Sequence, residues 1–389
     1  MDTICIIPAR GGSKGLPRKN ILPLCGRPLL AWNVLAAIEA CGEGNVYVTT
    51  DDAEIAAVGE QFGARIIHRP MELAGDTASS EAALIHALGF IEKSRGAVPE
   101  VFLFMQCTSP LTTAGDLQAI LHALKIHAAD SALSVTNSHR FLWRPSADYS
   151  VQGVNHDSRI RLRRQEREPE YAENGAIYAM RTAGFLETKH RFFGKTVVHV
   201  MPEERSWEID SPTDFQIVET LLRDCLRSQR ESLLPAVLSA VIFDFDGVMT
   251  DNRVHTGQDT GEFVTCNRSD GLGLASLRAA GIRMLVLSTE ENPVVAARCA
   301  KLKLPSIQGV KDKDVRLKQW LVDESIDAAN VIYVGNDRND SKCLELVGCP
   351  VAVADAYPEA LQRALIVLDR NGGRGAVREL CDLIVGRYS

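Results

Sequence analysis

The chain opens on an unbroken apolar block, Ile4-Cys5-Ile6-Ile7, the pattern of a short strand buried on both faces. Apolar positions then return at helical spacing from Leu29 to Ala40, and Val46 to Asp52 reads as a second strand with polar groups at its C-terminal edge. The spacing next predicts a helix over Glu54 to Phe62, a strand over Arg65 to His68 and a helix over Ser80 to Lys93. A strand over Val101 to Met105 and a helix over Asp116 to His127 follow. Such alternation predicts an α/β domain with a mainly parallel sheet, whose ligands sit beyond the C-terminal ends of its strands. A closing helix over Phe215 to Leu226 and a polar stretch, Arg227 to Pro235, end this first part. A new strand, Ala236 to Phe243, opens a second. The expected division is a domain over 1–226, a linker over 227–235 and a domain over 236–389.

Between the first strand and first helix lies Arg10-Gly11-Gly12-Ser13-Lys14-Gly15-Leu16-Pro17-Arg18-Lys19-Asn20. Glycines let a backbone turn sharply and bring its N–H groups to an anion. Arg10, Lys14, Arg18 and Lys19 supply the cation density that a polyphosphate requires. A strand feeding directly into this loop favours a phosphate cradle over an ordinary basic turn. The loop is neither a Walker loop nor a dinucleotide fingerprint, because it lacks both the Gly-Lys-Ser/Thr ending and the Gly-x-Gly-x-x-Gly spacing.

At 389 residues the chain exceeds one typical core. Its net charge of −7 argues against a nucleic-acid surface, so anionic ligands must be held by local basic sites. The ten cysteines are scattered with no Cys-x-x-Cys pair, which suits reduced thiols better than a disulfide framework or zinc site. No apolar run approaches membrane-spanning length and no signal-peptide pattern precedes Ile4, so no membrane role and a cytoplasmic location are expected.

The loop, with Lys19-Asn20-Ile21 and Gly26-Arg27-Pro28-Leu29, resembles the signature of the CMP-sialic acid synthetase (acylneuraminate cytidylyltransferase) family. Further blocks match in family order: Arg69-Pro70 through Ser80, Gln106-Cys107-Thr108-Ser109-Pro110-Leu111, Arg164-Gln165 and Asn174-Gly175-Ala176-Ile177-Tyr178. The resemblance implies a nucleotide-diphospho-sugar transferase-like, Rossmann-type fold. It implies that Arg10, Gly11, Gly12, Ser13, Lys19, Asn20, Arg69 and Ser80 bind CTP, with Arg10 and Lys19 also acting in catalysis. Gln106, Arg164, Asn174 and Tyr178 would hold a 2-keto sugar acid, and His139-Arg140-Phe141 would line the same pocket. Trp207-Glu208-Ile209-Asp210 reads as a strand, in which residues two apart share a side. By resemblance Glu208 and Asp210 would bind Mg²⁺, although the family's pattern there is Asp-x-Asp.

In the second domain two carboxylates follow a buried strand in Asp244-Phe245-Asp246-Gly247-Val248-Met249-Thr250-Asp251, which is costly without a cation. The string resembles the haloacid dehalogenase phosphatases, specifically the Kdo-8-phosphate and nonulosonate-9-phosphate phosphatase branch. Met284 to Ser288, Lys313 and Val331 to Asp340 match its later motifs. The resemblance implies Asp244 as nucleophile, Asp246 as general acid and base, and Ser288 and Lys313 as phosphoryl-binding catalytic groups. Mg²⁺ would lie on Asp244, Asp246 and a last-motif acid, for which Asp337 is expected because Asn336 stands where many relatives have Asp. Only a β-hairpin with turn residues Gly257 to Gly261 fits between the first motifs, and Gly372 to Glu379 also resembles the capless branch of this family; that resemblance implies a homotetramer.

Together the resemblances imply a bifunctional enzyme that dephosphorylates a nonulosonic acid 9-phosphate and transfers CMP from CTP to the free acid. The alternatives are a transferase with a silent tetramer-forming appendage, a CMP-Kdo synthetase joined to a Kdo-8-phosphate phosphatase, and a nucleotide-sensing binding module.

Overall fold

A computed structural model of the chain describes residues 2–12, 15–75, 78–257 and 261–388. The chain divides into two compact units, Met1–Arg223 and Asp224–Ser389.

The first unit is built on a seven-stranded sheet. Its order is Thr196–Val200, Ser131–Ser138, Glu170–Arg181, Val101–Met105, Thr3–Pro8, Val46–Thr50 and Arg65–His68. The last four are mutually parallel, with Ile6 registered against Phe104 and Tyr47. Glu170–Arg181 runs antiparallel to both of its neighbours, the one inverted strand in an otherwise parallel arrangement. Ile4, Cys5, Ile6 and Ile7 are fully buried, as expected of a central strand covered on both faces.

Local chemistry sets the helix starts. Asp52 caps Ala53–Gln61 through the N–H groups of Glu54 and Ile55, and Ser79 caps Ser80–Arg95. Thr113 and Asp116 close a reciprocal capping box on Ala114–Ile126.

The closing helix is longer than the sequence suggests. It spans Pro212–Ser232, so most of the stretch read as a linker is helical. No glycine or further proline interrupts it, and an Arg227–Glu231 pair at 2.8 Å supports the last turns at helical spacing. Its polar composition marks an exposed helix face. The residues 207–210 also differ from expectation, because they form no strand.

The second unit holds a six-stranded, wholly parallel sheet ordered Ser306–Ile307, Arg283–Leu287, Ala240–Phe243, Val331–Gly335, Cys349–Ala352 and Ile366–Val367. The sole insertion among its described residues is the hairpin Thr250–Gly257 with Gly261–Cys266, which is the capless arrangement. The expected turn residues 258–260 lie outside the described residues. Among the described residues no helix is long and apolar enough to cross a membrane.

Candidate active sites

In the first unit a cavity of about 440 Å³ opens at the C-terminal ends of Thr3–Pro8 and Val101–Met105. Arg10, Lys19, Asn20, Arg69, Ser80, Gln106, Glu208 and Asp210 all line it, so residues far apart in sequence meet as the strand order requires. The Asn20 amide donates to the Arg10 carbonyl at 3.0 Å and holds the start of the loop. Arg69 is buried, and its Nε and Nη2 have no hydrogen-bond partner. Burial lowers its pKa, while the Asp51 carboxylate 3.6 Å away opposes the shift. A buried guanidinium in the wall of a cavity also lined by Arg10 and Lys19 is the chemistry of an anion site.

Gly11 and Gly12 are absent from the cavity lining. Gly11 donates its N–H to Asp51 Oδ1 at 3.2 Å, and Gly12 is exposed. Ser13 lies outside the described residues. Gly15 has a clear steric reason: a Cβ there would fall 2.2 Å from the Asp210 carbonyl oxygen.

The segment carrying Glu208 and Asp210 is pinned between them. Ile209 is fully buried, donates its N–H to the Thr108 carbonyl at 2.9 Å and accepts from Lys19 Nζ at 2.5 Å. Lys19 also reaches Asp210 Oδ1 at 3.0 Å, and Thr108 Oγ1 donates to Glu208 Oε1 at 2.8 Å. These anchors, rather than strand pairing, turn both carboxylates to the cavity. Burial raises the Glu208 carboxyl, the Thr108 hydrogen bond opposes this, and the Asp210 charge adds to it. Paired carboxylates of which one resists ionisation suit a divalent cation, so the residues present fit magnesium here.

Of the expected sugar-acid set, only Gln106 reaches this cavity. Asn174 is buried, accepting from Ser134 Oγ at 2.6 Å and donating to Ser206 Oγ at 3.0 Å, so it fixes the turn before Glu208. Tyr178 stacks on Phe104 at 5.2 Å with Arg191 over its ring at 4.7 Å, and its hydroxyl donates to Glu173. Arg164 is exposed and, with His139, lines a separate cleft of about 230 Å³; Phe141 lines a third. The Asn174-Gly175 block instead makes a bulge. The register against Ser131–Ser138 shifts between Glu173 and Tyr178, and Gly175 has φ +68°. A Cβ on Gly175 would sit 3.4 Å from Glu208 Oε2 and 3.6 Å from the Gln106 amide, so the bulge makes room for both. Thr108 is the partner that motif reading missed.

In the second unit the register places Phe243 beside Val286 and Val334, so Asp244, Ser288 and Asn336 emerge near one edge. Lys313, the first residue of the helix Lys313–Asp323, is buried. Its Nζ lies 2.7 Å from Asp244 Oδ1 and 2.8 Å from Asp340 Oδ1. Tyr333 donates to that Asp340 oxygen at 2.7 Å, and the Asn336 N–H donates to Asp340 Oδ2 at 2.9 Å. Burial pushes the Asp244 carboxyl up to about 8; the Asp340 charge adds to this and Lys313 opposes it. Asp246 is raised by burial and then by the Glu290 charge.

The two last-motif candidates are placed differently. Asp337 turns its carboxylate onto the Arg338 N–H at 2.7 Å, as a cap. Asn336 instead lies against the Asp244–Thr250 loop, where a Cβ on Gly247 would meet its Nδ2 at 1.9 Å. Among the described residues no three metal-type side chains cluster. Asp244 and Asp340 share one lysine between two buried carboxylates, a charge excess that a divalent cation beside Asp244 and Asp246 would relieve.

A sheet whose strand ends open on a basic cavity edged by carboxylates defines an α/β enzyme that handles a polyphosphate. A family model described as cytidylyltransferase matches residues 4–230, and one described as haloacid dehalogenase-like hydrolase matches residues 307–380. N-acylneuraminate cytidylyltransferase A of Danio rerio is 30% identical over 387 residues, 98% of this chain and 88% of its own length. N-acylneuraminate cytidylyltransferase of Escherichia coli O18:K1:H7 (strain RS218 / NMEC) is 37% identical over 225 residues, 56% of this chain and 51% of that protein. Among solved structures, 3-deoxy-D-manno-octulosonate 8-phosphate phosphatase from Yersinia pestis is 34% identical, covering 41% of this chain and 85% of that one, with a TM-score of 0.38. The chain belongs to the cytidylyltransferase family and, over nearly its whole length, to the N-acylneuraminate cytidylyltransferases.

Proposed function

We propose that the first unit transfers CMP from CTP to a 2-keto nonulosonic acid, releasing pyrophosphate, and that the second removes phosphate from the 9-phosphate of such an acid. The observation that carries the first half is the meeting of Arg10, Lys19, Arg69, Glu208 and Asp210 around one cavity.

In the transfer, the anomeric hydroxyl gives up its proton to solvent water as its oxygen bonds to the α-phosphorus, and the bond from that phosphorus to the departing pyrophosphate breaks. Positioning and charge neutralisation do most of the work in such a reaction. Arg10, Lys19 and Arg69 hold the triphosphate, and Lys19 keeps Asp210 in place. Ser80 opens a capped helix at the cavity wall, where N–H groups favour an anion. Gln106 offers an amide to the sugar acid.

In the hydrolysis, Asp244 attacks the phosphoryl group and forms an acyl phosphate while Asp246 protonates the departing alcohol. Asp246 then takes a proton from the water that cleaves the acyl phosphate. Lys313 and Ser288 stabilise the phosphoryl oxygens. Magnesium, held by Glu208 with Asp210 and by Asp244 with Asp246, would supply positive charge to the phosphate oxygens at each site.

The reading extends to assembly and location. A homotetramer and a cytoplasmic setting are proposed with it; Val254 and Phe263, exposed on the hairpin, offer apolar surface to neighbouring copies.

The test has two arms. CTP is incubated with Neu5Ac, Kdn, legionaminic acid and Kdo, and CMP-sugar and pyrophosphate are measured. Phosphate release is measured from Kdn-9-phosphate, Neu5Ac-9-phosphate and Kdo-8-phosphate. Equal yields of CMP-sugar and pyrophosphate from a nonulosonic acid support the transferase, and nucleotide binding without turnover removes it. Phosphate release from none of the three esters leaves the second unit as a scaffold.

A further inference from the structure

We propose that Asp51 is a positioning residue for the nucleotide, one carboxylate that ties down the loop at Gly11 and holds the Arg69 guanidinium in the cavity wall that receives the CTP phosphates. The inference rests on the nucleotide reading of this cavity and adds the residue that shapes it.

Asp51 directly follows the strand Val46–Thr50. Its Oδ1 accepts the Gly11 N–H at 3.2 Å and stands 3.6 Å from Arg69 Nη2. The second distance is too long for a hydrogen bond but short enough for strong attraction between side chains that are 12% and 6% exposed. Arg69 therefore has a counter-charge that makes its burial tolerable, and the side chain held this way forms part of the cavity wall. Its backbone is fixed as well, since the Arg69 N–H donates to the Thr50 carbonyl at 2.8 Å.

The adjacent carboxylate cannot substitute. Asp52 is committed to Arg18 and to the N–H groups of Glu54 and Ile55. Two consecutive acids thus divide the work: Asp52 secures Arg18 and a helix start, and Asp51 secures Gly11 and Arg69.

Electrostatics alone predicts the opposite outcome from positioning. Neutralising a carboxylate beside a polyphosphate site strengthens anion binding. Losing the brace misplaces a phosphate-binding cation, and errors of about 1 Å cost up to ~100-fold.

The full chain is assayed for CMP-sugar formation as wild type, Asp51→Asn, Asp51→Glu and Arg69→Lys, with thermal unfolding of each. Asp51→Asn is expected to raise the KM for CTP about tenfold, leaving the KM for the sugar acid and the unfolding temperature near wild type. Asp51→Glu keeps the charge but moves it, and the same direction is expected. The Asp51→Asn/Arg69→Lys double variant is expected to be within about twofold of Arg69→Lys alone, because the two act as one unit. An unchanged or lowered CTP KM in Asp51→Asn, or equal rises in both KM values, overturns the inference. If Asp51→Asn does not fold, wild-type behaviour of Asp51→Glu overturns it. A wild-type chain that binds no CTP fails the nucleotide reading itself, a result separate from any variant.

Discussion

Lys313 holds its ammonium 2.7 Å from the Asp244 carboxylate, and neither side chain is more than 4% exposed. The contact joins the end of the central strand to the first residue of a helix about seventy residues later in the chain. It fixes the edge of the second unit's sheet at which the proposed hydrolysis takes place.

Two substitutions separate chemistry from stability there. Asp244→Asn removes the nucleophile while keeping its shape, and it relieves a buried charge. Phosphate release is expected to vanish with the unfolding temperature unchanged or raised. Lys313→Met leaves two buried carboxylates unneutralised; it is expected to lose phosphate release and about 3–5 kcal/mol of stability. CMP transfer by Asp244→Asn at wild-type rate completes the prediction. Parallel phosphate, pyrophosphate and melting measurements check it.

Gly15 gives a steric test of the first unit. A methyl group there would meet the Asp210 carbonyl oxygen at 2.2 Å, so Gly15→Ala forces apart the loop and the carboxylate segment. We expect kcat/KM for CMP transfer to fall about 100-fold. The control is Gly89→Ala in the helix Ser80–Arg95, where no described atom outside the helix lies within 4 Å of the added methyl group, and its transfer rate is expected within about twofold of wild type. Steady-state kinetics on both variants decides.

Asp116 makes stability pH-dependent in acid. Burial alone would raise its carboxyl, but hydrogen bonds from His199, Arg205 and Thr113 hold it well below the usual carboxylate range. The stabilisation is present above the unfolded value near 4 and is lost as pH falls below it. Asp116→Asn is expected to cost on the order of 3 kcal/mol at pH 7, and the gap is expected to narrow towards pH 2. Denaturant titrations at both pH values measure it.

Asp270 acts in the opposite sense. Burial pushes its carboxyl up to about 6, with the Arg378 N–H bonded at 3.0 Å easing the shift. The folded state thus keeps a proton that the unfolded chain has released, and stability declines as pH rises from about 4 to 6. Asp270→Asn is expected to remove that decline, an effect on the order of 3 kcal/mol, as read from unfolding free energies across pH 4 to 7. A slope unchanged from wild type sinks the assignment.

Much of this was legible before any coordinates. Ile4 to Ile7 and Val101 to Met105 announce themselves as strands because both faces of the sheet are covered. Motif order was enough to bring Arg10, Lys19, Asn20, Arg69, Gln106 and Glu208 to one cavity. What the sequence left open depended on tertiary context. Polar residues at 227–232 signal a linker or a solvated helix face equally well, and only the ion pairs of Arg227 and Arg230 distinguish them. Asn174 and Tyr178 sit in a matching block, but their polar atoms are consumed by Ser134, Ser206 and Glu173, which no spacing reveals. Asp340 and Tyr333 stood inside a recognised string, yet their role is visible only through Lys313.

The most direct test is the yield of CMP-sugar and pyrophosphate from CTP and a nonulosonic acid, wild type against Asp210→Ala, with magnesium present. The two products are expected in equal amounts from the wild type and in neither form from a variant that still melts as a folded protein. Full activity in Asp210→Ala would contradict the assignment of Lys19, Glu208 and Asp210 to the reacting edge of the cavity.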